Sequence, residues 1–174
     1  MNKNILILLI LFYFIHCNAN YVFFSKQIHD TICNDAIYIK TDNYEGIIFG
    51  KYCPENFIED KIYRWSPTKE DIEYVEILMK KYIIKHVKKK GLQNQFGDRP
   101  IIHLNFDKYI RQYVGYINKH GERIIKVNCF WKSYENIFPY WKREWIEVMD
   151  GGSYYWQIKV NIDKKKCFDY RVNG

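Results

Sequence analysis

Residues 66–91, SPTKEDIEYVEILMKKYIIKHVKKKG, constrain the fold more than any other stretch, because they read as one long helix with a single broad apolar face. Ser66 is the expected N-cap, and Pro67 suits the first helical position, where a missing N–H costs nothing. Glu70, Asp71 and Glu73 put negative charge at the positive end of the helix dipole. Lys85, Lys88, Lys89 and Lys90 do the reverse at the other end, and Gly91 closes the last turn in the left-handed conformation. At about 100° per residue, Ile72, Val75, Leu78, Met79, Tyr82, Ile83 and Val87 share one face. That face must be buried, so the remainder of the chain has to supply an apolar surface of matching length.

Strand patterns supply it. In 153–162, Tyr154, Trp156, Ile158, Val160 and Ile162 alternate with Tyr155, Gln157, Lys159 and Asn161. Residues 123–131 carry Ile125, Val127, Cys129 and Trp131 on one face, and pair with 109–117 across NKHGE, where Gly121 supplies the positive φ. Further strands are expected at 36–40 and 47–53, joined as a hairpin by TDNYEG, and at 101–105, 145–149 and 167–172. Residues 132–143 read as an irregular crossing of one end of the sheet, and LQNQFGDRP as a return loop. DGG and DKKK join the last three strands into a meander, so Asp150, Gly151, Gly152 and Ser153 form a turn and not a phosphate loop.

Lengths agree, since about 23 helical residues and about ten strand residues both span about 35 Å. The expected architecture is α+β, one long helix on a curved antiparallel sheet of cystatin-like or NTF2-like layout with an additional N-terminal hairpin; the alternative gives that hairpin a sheet of its own.

Residues 1–19 form a signal peptide, with Lys3, an apolar run over 5–15 that is too short to span a bilayer, and small residues before a cut. It is expected to end in cleavage after Ala19 or in lipidation of Cys17 as in a bacterial lipoprotein, the remaining alternative being retention as an anchor. Residues 20–174 then form a single exported domain, periplasmic, secreted or held at the outer membrane. Its membrane contact is limited to a lipid on Cys17. Export brings oxidising conditions, so Cys33 and Cys53, which bracket the early hairpin, are expected to pair, closing a loop worth about 3 kcal/mol. Alternation puts Cys129 inward and Cys167 outward with Asp169 and Arg171, which keeps those two apart.

The segments WSPTKEDIEYVEILMKKYI and DGGSYYWQIKVNIDKKKCFDYRVNG resemble small exported proteins of Bacteroidetes that share the order leader, helix, sheet and terminal VNG. The resemblance covers about half the chain and implies location and ancestry; that family has no assigned chemistry to carry over.

Chemistry-bearing motifs are sparse. His29, His86, His103 and His120 never take the i, i+4 spacing of a zinc helix, and there is no HExxH or CxxC, so no metal or cofactor is expected. Cys129 or Cys53 with His103 forms no nucleophile signature, and His86, Glu73 and Glu76 read as helix-face residues. The net charge of +7 comes without an Arg-rich run or nucleic-acid module, which argues against nucleic acid.

The functional reading is a non-catalytic binding or inhibitory module in the cell envelope, its partner an envelope protein or other macromolecule. It would act through the outward positions Tyr155, Gln157, Lys159 and Arg171. The alternative is an NTF2-like enzyme or small-ligand protein with a pocket between helix and sheet. Ile77 and Ile84, on the helix side away from the main stripe, call for a cover: the N-terminal arm, the early hairpin or a partner.

Overall fold

The computed structural model describes residues 33, 35–53, 63–88 and 99–173. The signal peptide with Cys17, the arm through residue 32 with His29, the helix end with Lys89, Lys90 and Gly91, and residues 92–98 of the return loop lie outside them.

Strands β1 (Ile37–Lys40), β2 (Glu45–Phe49), β3 (Tyr63–Trp65), β4 (Tyr109–Ile117), β5 (Arg123–Trp131), β6 (Gly152–Asn161) and β7 (Lys166–Asn173) form one seven-stranded sheet. Its order is β1-β2-β4-β5-β6-β7, and β3 also pairs with β4. The sheet is curved and unclosed. The early strands belong to this sheet and not to one of their own. β4 and β5 occupy the residues their alternation predicts, and Gly121 at φ +77 turns the chain between them.

The expectation of an all-antiparallel sheet is corrected at β2, which runs parallel to β4, with Ile48 opposite Tyr113. A parallel pair needs a crossover connection, and the helix lies in the stretch between these two strands. β3 meets the rest of the same β4 edge in the opposite direction, Trp65 opposite Gly115. Arg64 ties the two together, donating from Nε to Gly115 O at 3.2 Å and from Nη2 to Gly50 O at 2.8 Å.

Helix α1 covers Lys69–Tyr82 and runs on through a π-helical turn, Ile83–Val87. Its cap is Thr68 and not Ser66. Thr68 Oγ1 accepts from Asp71 N–H at 3.2 Å, and Asp71 Oδ2 accepts from Thr68 N–H at 2.9 Å. This reciprocal box needs an acidic or amide side chain at the third helical position, which Thr68 has in Asp71 and Ser66 lacks in Lys69. Ile72, Val75, Met79, Ile83 and Val87 are buried, with Leu78 and Tyr82 packed at the margin. They meet Tyr109, Tyr113, Ile125, Val127, Cys129, Trp156, Ile158 and Val160 of the sheet. A side chain on Gly115 would press to 2.6 Å from Trp65 O and 2.8 Å from Pro67 Cγ, so glycine there lets the helix entrance sit on β4.

The opposite face has its own core, Ile47, Phe49, Cys53, Ile110, Val114, Phe130 and Tyr155 under Phe138, Trp141, Trp145 and Ile146. Residues 132–148 therefore cover a face of the sheet, not its end. Two expected strands are absent: residues 101–105 hold a 3-10 turn, Ile102–Leu104, and 145–149 form no ladder. The apolar residues at 145–146 are buried by that packing without strand pairing.

Cys167 is also corrected. Between Gln157 and Lys159 the register with β7 slips, two residues of β7 (Asp169 and Tyr170) facing one of β6, and Asp169 takes φ 49. Such a bulge inverts the alternation. Cys167 consequently faces the helix-side core with Val160, its partner in the ladder, while Asp169 and Arg171 face the other way.

Candidate functional site

Among the described residues, a buried polar assembly ties each of the two covering layers to the sheet. The first lies beneath α1. Arg111 is fully enclosed, and its Nε donates to Glu76 Oε1 at 3.0 Å, its Nη2 to Phe106 O at 2.7 Å and its Nη1 to Tyr109 O. Tyr113 OH donates to the same Glu76 oxygen at 2.8 Å. Burial opposes the guanidinium charge, but the Glu76 carboxylate beside it raises the Arg111 pKa further. Burial, reinforced by Glu76, likewise pushes the Tyr113 phenol well up. Glu76 thus has a buried partner that helix periodicity does not reveal; the signal is Arg111 sitting between Tyr109 and Tyr113 on the inward side of β4.

The second lies under residues 132–148. Gln112 Nε2 donates to Trp141 O at 2.7 Å and Glu144 O at 2.6 Å, and Gln112 Oε1 accepts from Ile146 N–H at 2.8 Å. Asn128 Nδ2 donates to Gln112 Oε1 at 3.0 Å and Ile146 O at 2.8 Å.

Of the outward positions read from the sequence, Tyr155 is corrected. It is buried, packed on Phe138 and Tyr134, because residues 132–148 cover that part of the face. The others continue a polar row across the strands: Gln112 pairs with Asn128, Asn128 with Gln157 and Gln157 with Arg171. Along it the amides pass from buried to half-buried, and the row ends at exposed Arg171. Beside it, Lys126 is opposite Lys159 and lies 5.1 Å from the Trp145 ring. Asp169 is the group that sequence alternation gives no reason to single out. It bonds Lys159 Nζ at 2.7 Å and Arg171 Nε at 2.8 Å. The Arg171 hydrogen bonds lead in holding its pKa down to about 2, with Lys159 adding to them. This outer strip, Lys126, Gln157, Lys159, Asp169 and Arg171, carries more positive than negative charge.

The nucleophile pairings do not materialise. Cys129 and Cys167 are free, buried thiols, and burial pushes both pKa values up, that of Cys167 to about 12. Cys33 and Cys53 are joined in a disulfide, Cα–Cα 4.5 Å. His103 lies in a surface 3-10 turn, where desolvation, the larger cause, and the nearby Lys88 lower its pKa. His86 is half-buried, its ring 4.8 Å from that of Tyr82, and His120 is exposed in the β4–β5 turn. Glu73 is exposed on α1.

Ile77 and Ile84 stay 51% and 49% exposed, and the β1–β2 pair does not cover them. No helix among the described residues is long and apolar enough to cross a membrane. No protein-family model matches the chain, and no curated protein or solved structure is significantly similar to it.

Proposed function

We propose that this chain is an exported, non-catalytic binding or inhibitory module of the cell envelope that engages an acidic macromolecule through the outer β5–β6–β7 strip. The observation that carries this reading is the polar row running from buried Gln112 to exposed Arg171, flanked by Lys126 and Lys159. Gln112 and Asn128 are spent on the protein's own backbone, and Glu76 and Arg111 on each other. Lys159 and Arg171 are instead held in place by an exposed-side carboxylate, which orders them for contact at low entropic cost. A surplus of positive charge on such a strip steers and selects partners bearing carboxylates or other anions.

The cystatin-like or NTF2-like assignment belongs to the same proposal. A single helix across antiparallel β4–β7 supports it, while parallel β2 and the covered second face depart from it.

The test is capture from envelope extract by wild type and by Lys159→Glu with Arg171→Glu, at low and at raised salt. Tyr155 is excluded from the variant because truncating it would probe the core. Capture lost on charge reversal and weakened by salt is the expected result. Equal capture by both proteins defeats the proposal, as does turnover of a small molecule that depends on Glu76 or Arg111. Intact-mass measurement of the same preparation addresses export: residues 1–19 absent, or lipid on Cys17, is expected, and an unprocessed Met1 form rejects it.

A further inference from the structure

Cys33, Asp35 and Cys53 bring two sulfurs and a carboxylate oxygen within 4.8 Å of one another at the edge of the second core. The two cysteines are expected together from their places either side of the early hairpin, but nothing in the sequence singles out Asp35, which lies before β1 and reaches Cys53 beyond the end of β2. The carboxylate is built into place. Asp35 Oδ2 accepts from Tyr52 N–H at 3.1 Å and from the Ser66 hydroxyl at 3.4 Å, and Ser66 Oγ in turn accepts from Lys51 N–H at 2.9 Å. Asp35 also occupies the space beside Gly50: any Cβ on that residue would lie 2.0 Å from Asp35 Oδ2. Oδ1 is thereby left directed at Cys53, 3.3 Å from its Sγ.

A carboxylate beside a disulfide gains no hydrogen bond from it, since neither sulfur carries a proton. Beside two thiolates the same carboxylate completes a ligand set. Soft divalent ions take sulfur at about 2.3 Å and carboxylate oxygen at about 2.0–2.2 Å, and hydrogen bonds to the carboxylate such as those from Tyr52 N–H and the Ser66 hydroxyl are what orient such a ligand. Cys53 is buried while Cys33 and Asp35 are half-buried, so the cluster is anchored at one corner and reachable from solvent at the other two.

We propose that Cys33, Asp35 and Cys53 form a redox-gated site for a soft divalent cation of the zinc type. In the oxidised protein the sulfurs are bonded to each other and cannot ligate. Reduction breaks the S–S bond to two thiols: a dithiol gives two electrons and its own two protons and becomes a disulfide, or a phosphine takes the oxygen of a water molecule to become its oxide while that water's two protons go to the sulfurs. The cation then displaces both thiol protons and binds Cys33 Sγ, Cys53 Sγ and Asp35 Oδ1, leaving a coordination position to solvent. Metal and disulfide are mutually exclusive, so each state of this corner keeps residue 33 tied to the end of β2.

The experiment uses the full chain, oxidised and phosphine-reduced, titrated with Zn2+ and with Co2+ as a spectroscopic substitute. The reduced protein is expected to bind one equivalent and to show thiolate-to-cobalt charge transfer, and the oxidised protein neither. Asp35→Asn, which keeps both sulfurs, should weaken Zn2+ at least about tenfold. Cys33→Ser with Cys53→Ser should abolish the cobalt signal. Wild-type affinity in Asp35→Asn overturns the assignment, as does a signal that survives the double serine change and so belongs to Cys129 or Cys167. Where reduction unfolds the chain, refolding on Zn2+ supports the site, and failure to refold rejects it.

Discussion

The two faces of the sheet are sealed in different ways, and the difference follows from what covers each. α1 satisfies its own backbone, so it offers the sheet only side chains, and the single buried charge it carries, Glu76, needs a side-chain partner in Arg111. Residues 132–148 are irregular and leave Trp141 O, Glu144 O and both polar groups of Ile146 for the sheet to satisfy, which Gln112 and Asn128 do. A regular cover thus calls for a charge partner in the sheet beneath it. An irregular one calls for amides, which can donate and accept at once.

The largest loss is expected at Arg111, beneath the regular cover. Removing one member of a buried pair strands the other charge, so Arg111→Met should cost about 3–5 kcal/mol in urea unfolding. Arg111→Met with Glu76→Leu should recover much of that, since two apolar groups replace the whole pair. A double variant no more stable than the single one would mean that Glu76 is held by Tyr113 alone.

Under the second face the expected loss is smaller and local. Gln112→Leu takes the Gln112 partner from two carbonyls, Trp141 O and Glu144 O, and from two N–H groups, Ile146 N and Asn128 Nδ2, yet residues 132–148 lie at the surface and water can reach freed groups. About 2 kcal/mol is expected, drawn from the 1–3 kcal/mol range for an unsatisfied buried group. Hydrogen exchange should accelerate at Ile146 while the β4–β5 ladder stays protected. Uniform acceleration across both regions would show that the two covers unfold as one unit.

The same contrast accounts for what the sequence discloses. Helix periodicity located the α1 core from Ile72 to Val87 because a covering helix repeats its apolar face, and β4 and β5 were legible by alternation. Residues 132–148 have no repeat to read: their burial depends on Gln112 and Asn128, distant in sequence, and without that knowledge Tyr155 looks outward. A bulge hides in the same manner, since Asp169 inverts β7 without any Gly or Pro to announce it. The parallel placement of β2 is set by the return path through β3 and α1, which no local pattern in β2 encodes. The Thr68 cap, by contrast, was readable through Asp71.

Where the second face opens to solvent, charge should behave differently from the buried pair. Asp169 is held to about 2 against an ordinary 3.8. Its folded pKa lies below its unfolded one, so the stability it contributes is present above about pH 4 and is lost as pH falls through 2. Because the group is partly solvated, the change should be small. Carboxyl-carbon NMR titration is expected to place the Asp169 midpoint near 2, moving toward 3.8 in Lys159→Ala with Arg171→Ala. An unmoved midpoint would assign the depression to the bulge backbone and not to the cations.

The smallest effect should come from the outward side of α1, which neither cover uses among the described residues. Ile77 and Ile84 each keep about half their surface in water, 51% and 49%, so replacing them exposes little that is now buried. If the described core supplies their whole environment, Ile77→Ser with Ile84→Ser should shift unfolding free energy by no more than about 0.5 kcal/mol per site, the range of ordinary surface changes. The variant should also leave the slope of the urea transition unchanged, because the area exposed on unfolding hardly alters. A loss of about 2 kcal/mol, or a changed slope, would mean that both side chains are buried by another part of the chain, and α1 would then be covered on its second side as the sheet is.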